Sequence, residues 1–167
     1  MLITLKPEGL TPANPLFGAD PQTFAYRLFA QDKLAQFAAI GLPQPHAERL
    51  VQMQWRGRNL TYAAQYPGAE NWTVSLEDGA PIGCYSLQKT AQNVRIVDLA
   101  ILPEWRGQGI GTHVLQQVAQ QATAAGKTFS LRVEKQNPAL RLYTRLGFAA
   151  VNEDETSYEM VLSTPGQ

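Results

Sequence analysis

Between residues 24 and 40 the apolar side chains Phe24, Leu28, Phe29, Leu34, Phe37 and Ile40 recur at helical spacing, which predicts a helix that Gly41-Leu42-Pro43 stops. Asp20 is placed to cap its start, with Pro21 in the first helical position. A second helix is expected over 45–66, closed by Pro67-Gly68, with Leu50, Met53, Leu60 and Tyr62 as its buried candidates. Ahead of both, residues 2–6 read as a short strand, followed by an irregular connection rich in proline and glycine. The pattern then changes. Residues 72–77 alternate, Asp78-Gly79 marks a hairpin turn, and 82–88 read as the returning strand. Residues 94–102 are nearly continuous in apolar side chains, the pattern of a central strand covered on both faces. A helix is expected to run to residue 125 on the face Val114, Leu115, Val118, Ala119 and Ala122, with Gly126 as its stop. Residues 129–133 form another strand, and Asn137-Pro138 opens a helix through 146 that Gly147 closes. Two last strands, 148–152 and 158–162, flank the acidic turn Glu153-Asp154-Glu155. This order is that of a mixed α/β sandwich.

Composition narrows the reading. The chain has 167 residues, 44% of them hydrophobic, enough to bury a core and matching one domain over 1–167. Fourteen Lys+Arg balance fourteen Asp+Glu, and the balance holds in each half of the chain. Nucleic-acid binding needs a clustered basic surface, so that class is set aside. Cys84 is the single cysteine, which excludes an internal disulfide and a structural zinc held by cysteines. The longest uncharged stretch, 107–126, has about the length of a membrane span, but it contains five glutamines and a histidine. The N-terminal residues are too short a run for a secretory signal. The expectation is a cytoplasmic protein with no membrane partner and no metal.

The segment VDLAILPEWRGQGIGTHVL, residues 97–115, carries the chemistry. A strand enters a glycine-rich turn, and the turn enters a helix. The first amides of a helix lack intrahelical acceptors and carry the positive end of its dipole. Glycines let phosphates approach the backbone there, and Arg106 adds a fixed positive charge. A Rossmann site would need G-x-G-x-x-G and an acid about twenty positions later. The glycines stand at 107, 109 and 111, and no acid occurs between Glu104 and Glu134. A P-loop would need Gly-Lys-Ser/Thr, which is absent.

Arg106, Gly109 and Gly111 instead match Arg/Gln-x-x-Gly-x-Gly/Ala, and the phrase from Leu102 to Gly111 resembles the acetyl-CoA pyrophosphate loop of the GNAT superfamily of N-acetyltransferases. Asn137-Pro138-Ala139, Leu142-Tyr143 and Leu146-Gly147-Phe148 resemble that family's next motif, at the right order and spacing over 94–162. The resemblance implies a mixed, largely antiparallel central sheet of about six to seven strands, flanked by about four helices and splayed at its central strands. It places an acyl-CoA-binding half at 94–162 and acceptor-side helices at 20–66. It also implies acetyl-CoA as donor substrate, contacted by Ala100, Ile101, Leu102, Arg106, Gly107, Gln108, Gly109, Ile110, Gly111, Thr112, Asn137 and Tyr143. Asn137 would meet the pantetheine arm, and an amide near Ala100 or Ile101 would donate to the oxyanion. Tyr143 would protonate the leaving thiolate. Asp98 and Glu134 are the candidate bases, with water as the alternative; a glutamate of some relatives is replaced by Arg132.

Each residue also has a plainer reading. Tyr143 fits a core aromatic, Asn137 a helix cap, Arg106 an ion-pair partner of Glu104, and Asp98 a hydrogen-bonded structural acid. His113 and His46 fit partly exposed side chains, and Cys84 a small buried hydrophobe. Trp55, Tyr62 and Tyr66 share a stripe that ordinary packing explains. Glu153, Asp154 and Glu155 would draw a cationic amine unless they are simply solvated. The acceptor expected is a small amine or amino-acid-like molecule. A protein N-terminus or lysine is the alternative, as are a non-catalytic acyl-CoA sensor and a nucleotide-binding regulator. Dimerisation is common in the family, and nothing in the sequence decides it.

Overall fold

The computed structural model describes residues 3–7 and 23–162, with side chains from Thr23 onward. Strand β1 is Ile3–Pro7, α1 is Phe24–Ala39, α2 is Gln44–Gln65, β2 is Glu70–Leu76, β3 is Pro81–Lys89 and β4 is Asn93–Ile101. A 3-10 turn at Pro103–Trp105 precedes α3, Ile110–Ala124. Then come β5, Thr128–Glu134, α4, Leu140–Arg145, β6, Ala149–Glu153, and β7, Ser157–Leu162. The seven strands form one sheet in the order β1-β2-β3-β4-β5-β7-β6. β4 and β5 are parallel; β1 with β2, β5 with β7 and β6 with β7 are antiparallel. The mixed, mainly antiparallel sheet with four α-helices is the expected class. No helix among the described residues is long and apolar enough to cross a membrane.

The chain divides into two compact units, one made of the residues up to Ser86 with Leu99–Trp105, the other of Leu87–Asp98 with the residues from Arg106 on. In the first unit, α1 starts later than the sequence pattern suggests. Thr23 caps it, its Oγ1 accepting from the Tyr26 amide at 3.2 Å, while Asp20 and Pro21 lie outside the described residues. Ala25, Leu28, Trp55 and Cys84 form a buried cluster, with Phe29, Tyr62, Ala100 and Leu102 packed against it. Cys84 is thus the small buried hydrophobe expected.

Helix α2 turns a different face inward from the one predicted. Its buried residues are Ala47, Val51, Trp55 and Asn59, a run at every fourth position. Leu50, Met53 and Leu60 are 39%, 61% and 74% exposed, and Tyr62 is half-buried. At 100° per residue Leu50, Met53 and Leu60 fall on the flank opposite the buried run, whereas Tyr62 falls on the inward flank and packs against the Trp55 cluster as expected. The inward flank wins because it carries Trp55, whose ring meets Tyr26 edge-on at 5.6 Å and Phe29 at 5.1 Å. Burying a side chain of that size contributes about 3 kcal/mol. The aromatic stripe is therefore mostly packing: Tyr62 touches Tyr66 edge-on, and the Arg58 guanidinium lies 4.7 Å from the Tyr62 ring centre.

In the second unit α3 buries Ile110, Val114, Leu115, Val118 and Ala122. It ends at Gly126 with φ 71°, where the Lys127 amide donates to Ala122 at 2.8 Å and the Gly126 amide to Thr123 at 3.0 Å. This is the paired closure that a left-handed glycine permits. The pairing of β4 with β5 covers only Asn93 to Arg95, against Thr128 to Ser130. Both strands continue past that point, so the splay implied by the resemblance is present. The expectation that residues 94–102 are covered on both faces fails for the same reason. Only Val94 and Ile96 of β4 are buried, and residues 97–101 are half-buried. β3, buried from Ile82 through Leu87, is the doubly covered strand.

Candidate active site

The glycine turn leads α3 out of residues 106–109, all four exposed. Gly109 is the N-cap residue, with φ 82° and no side-chain cap bond. The first intrahelical bond is from the His113 amide to the Gly109 carbonyl at 3.0 Å. The amides of Ile110, Gly111 and Thr112 therefore precede the helical ladder at its dipole-positive end. Gly107 also has positive φ, 74°, so the turn is wound from two left-handed glycines. Arg106 and Gln108 flank it with exposed side chains. The arrangement suits a phosphate-bearing ligand.

Two sequence-predicted residues meet electrostatically in the same unit. Tyr143, on α4, is half-buried, with Phe148 edge-on at 6.0 Å. Burial raises its hydroxyl above the ordinary tyrosine value, and the negative charge of Asp98 raises it further. Asp98 itself is half-buried in β4. A phenol held protonated is fit to donate a proton. Glu134, at the end of β5, is open to solvent, and its backbone carbonyl accepts from the Asn137 amide at 3.0 Å. Asn137 is not the cap of α4, which is Ala139. Its Oδ1 accepts from the Ala139 amide at 2.9 Å, bending the chain ahead of the helix. α4 is correspondingly shorter than predicted, starting at Leu140.

The acidic turn is tied down by its own chain. Asp154 pairs with Arg132 and Glu153 with Lys135. The Thr156 and Ser157 amides donate to Asp154 and hold its carboxyl below the usual value, Arg132 adding to the effect. The position where some relatives place a glutamate is thus a surface ion-pair partner. His113 is half-buried beside Gln117, their Nε2 atoms 3.2 Å apart, and His46 is exposed at the start of α2.

In the first unit the end of β4 carries Ala100, Ile101 and Leu102, all half-buried. The Leu102 amide donates to the Ile82 carbonyl at 2.8 Å. Gly83, beside Ile82, is a residue that the sequence reading missed. A Cβ built on it would lie 2.6 Å from Ile101 Cδ1 and 2.7 Å from the Ala100 carbonyl oxygen. A lone glycine inside an apolar strand is the signal that could have found it.

The family model described as "Acetyltransferase (GNAT) family" matches residues 31–148. The chain belongs to the GNAT acetyltransferase family. Within it, thialysine N-epsilon-acetyltransferase of Mus musculus is 40% identical over 91 residues, 53% of either chain. Cysteine-rich protein 2-binding protein of Mus musculus is 31% identical over 94 residues, 56% of this chain and 12% of that one. The chain thus matches about half, or less, of the length of these curated relatives. A PaiA N-acetyltransferase from Thermoplasma acidophilum, solved with coenzyme A, superposes with a TM-score of 0.65 at 16% identity, over 98% of this chain and 100% of that one. A GNAT acetyltransferase from Elizabethkingia anophelis, solved with acetyl-CoA, gives 0.60 at 17% identity, over 97% and 98%. At these identities the likeness is one of fold.

Proposed function

We propose that the protein is an N-acetyltransferase that moves the acetyl group of acetyl-CoA to a primary amine, with a small or amino-acid-like molecule as acceptor. The observation that carries the reading is the cap of α3: a left-handed Gly109 within the family's Arg-x-x-Gly-x-Gly pattern, which puts bare helix amides where a pyrophosphate would be held. Arg106, Gly107, Gln108, Gly109, Ile110, Gly111 and Thr112 take the pyrophosphate. Ala100, Ile101, Leu102 and Asn137 take the pantetheine arm and the thioester. The 40% identity to a thialysine N-epsilon-acetyltransferase supports the small-amine acceptor.

In this reaction the neutral amine nitrogen attacks the thioester carbonyl carbon, the C–S bond breaks, and the acetylated nitrogen releases a proton. An amide at Ala100 or Ile101 donates to the developing oxyanion. Tyr143 gives its proton to the departing thiolate. Asp98 keeps that proton on Tyr143 until it is needed, a role its charge favours over that of base. Water takes the proton from the amine, since Glu134 is solvated.

Arg106→Glu tests the donor site without straining a glycine. Calorimetric titration should show acetyl-CoA bound by the wild type and binding weakened at least about tenfold in the variant, since a charge-assisted phosphate contact becomes a repulsion. A folded wild type that ignores acetyl-CoA would overturn the proposal. Thiol release with polyamines, amino acids and peptides as acceptors then tests the second half; turnover of peptides alone would replace the small-amine reading with the protein-acetylating one.

A further inference from the structure

We infer that Gly83 is a positioning residue for the acyl donor: its bare Cα lets the end of β4 lie against β3, and that approach sets where the Ile101 amide stands. The inference rests on the acetyl-CoA reading above. Gly83 is buried in the middle of β3, in a run where every neighbour from Ile82 to Leu87 is also buried. Its φ lies outside the left-handed region, so the requirement is for space and not for an unusual backbone. The two atoms that a Cβ would meet differ in kind. Ile101 Cδ1, at 2.6 Å, ends a side chain that can rotate. The Ala100 carbonyl oxygen, at 2.7 Å, belongs to the backbone. It shares one rigid peptide plane with the Ile101 N–H, so pushing the oxygen tilts the amide.

The pairing of β4 with β5 covers only Asn93 to Arg95. β3 holds the strand end from two adjacent residues. Ile82 accepts from the Leu102 amide, and Gly83 admits the peptide between Ala100 and Ile101. The strand end is held in one place by a hydrogen bond and a missing methyl group. An acyl donor whose pantetheine arm follows the backbone there would register a displacement of a few tenths of an ångström as lost alignment.

Gly83→Ala and Gly83→Ala/Ile101→Val test this, each titrated with acetyl-CoA and with 3′-phosphoadenosine 5′-phosphate, a fragment carrying only the nucleotide end. The single variant should melt cooperatively, bind acetyl-CoA about tenfold or more weakly, and bind the nucleotide fragment as the wild type does. Removing Cδ1 in the double variant should restore at most part of any lost thermal stability and none of the affinity, since the backbone contact remains. A folded Gly83→Ala with wild-type affinity for acetyl-CoA would overturn the inference. So would affinity regained through Ile101→Val, or equal weakening of both ligands, which marks general loosening. Should the variants not fold, hydrogen exchange on the wild type decides: saturating acetyl-CoA should slow the Ile101 amide, and an unchanged rate there overturns the inference while leaving the donor reading intact. A wild type that binds no acetyl-CoA removes that reading, and this one with it.

Discussion

Tyr143 and Tyr85 both hold their hydroxyls where burial opposes ionisation, and they put that to different use. Tyr143 is raised above 10.0 by burial first and the Asp98 charge second. Its proton stays in place through neutral pH, so its loss should lower the acetylation rate only on the alkaline side of the ordinary tyrosine range, while the acid limb belongs to protonation of the amine. Tyr143→Phe should remove that alkaline limb and lower kcat about 10²-fold with acetyl-CoA binding kept. Asp98→Asn should move the limb to lower pH. A pH–rate profile at saturating substrate checks both, and wild-type kcat in Tyr143→Phe would end the general-acid role. Tyr85 is 2% exposed and stacked on Trp72 at 6.0 Å, with burial and Glu70 pushing it up to about 12. The folded chain keeps this proton where the unfolded chain has released it. The stabilisation is therefore intact below pH 10 and is lost as pH rises toward 12, by about 3 kcal/mol in all. Urea denaturation at rising pH should show the loss, and Tyr85→Phe should flatten it.

At the scale of elements, two glycines within or beside helices have opposite requirements. Gly57 lies inside α2 with open space where a Cβ would be and an ordinary φ. Gly57→Ala should stabilise the protein by about 0.5–1 kcal/mol through better helix propensity. Gly109 has equally open surroundings but a φ of +82°, so Gly109→Ala should cost about 1–2 kcal/mol. Chemical denaturation of the two variants should give shifts of opposite sign. The positions of helices were legible in the sequence wherever their stops were, as at Gly41, Gly126 and Gly147. Their inward faces were less so. α3 advertised its face because one stripe alone is apolar, whereas α2 spells apolar residues on both flanks. Which flank goes inward depends on Phe29 and Tyr26 of α1, and spacing within α2 carries no information about them.

For the molecule as a whole, what could be read ahead of the structure was local. The glycine turn, its helix and the Asn137–Tyr143 segment are contiguous stretches whose chemistry lies in neighbouring residues. The association of Asp98 with Tyr143, the contact of Gly83 with Ala100, and the insertion of β7 between β5 and β6 join distant positions, and only folding brings those about. The same non-local character governs how the two compact units are drawn from the chain. The backbone crosses from one to the other after Ser86, after Asp98 and after Trp105. A polypeptide ending at Ser86 would lack Ala100 and Leu102, which pad the Trp55 cluster. One beginning at Arg106 would lack the strand that pairs Arg95 with Glu159. A cut after Trp105 keeps the first unit whole but takes Leu87–Asp98 from the second, and a cut before Leu87 keeps the second whole but takes Leu99–Trp105 from the first. A single break anywhere in the chain therefore leaves at least one of the two units incomplete.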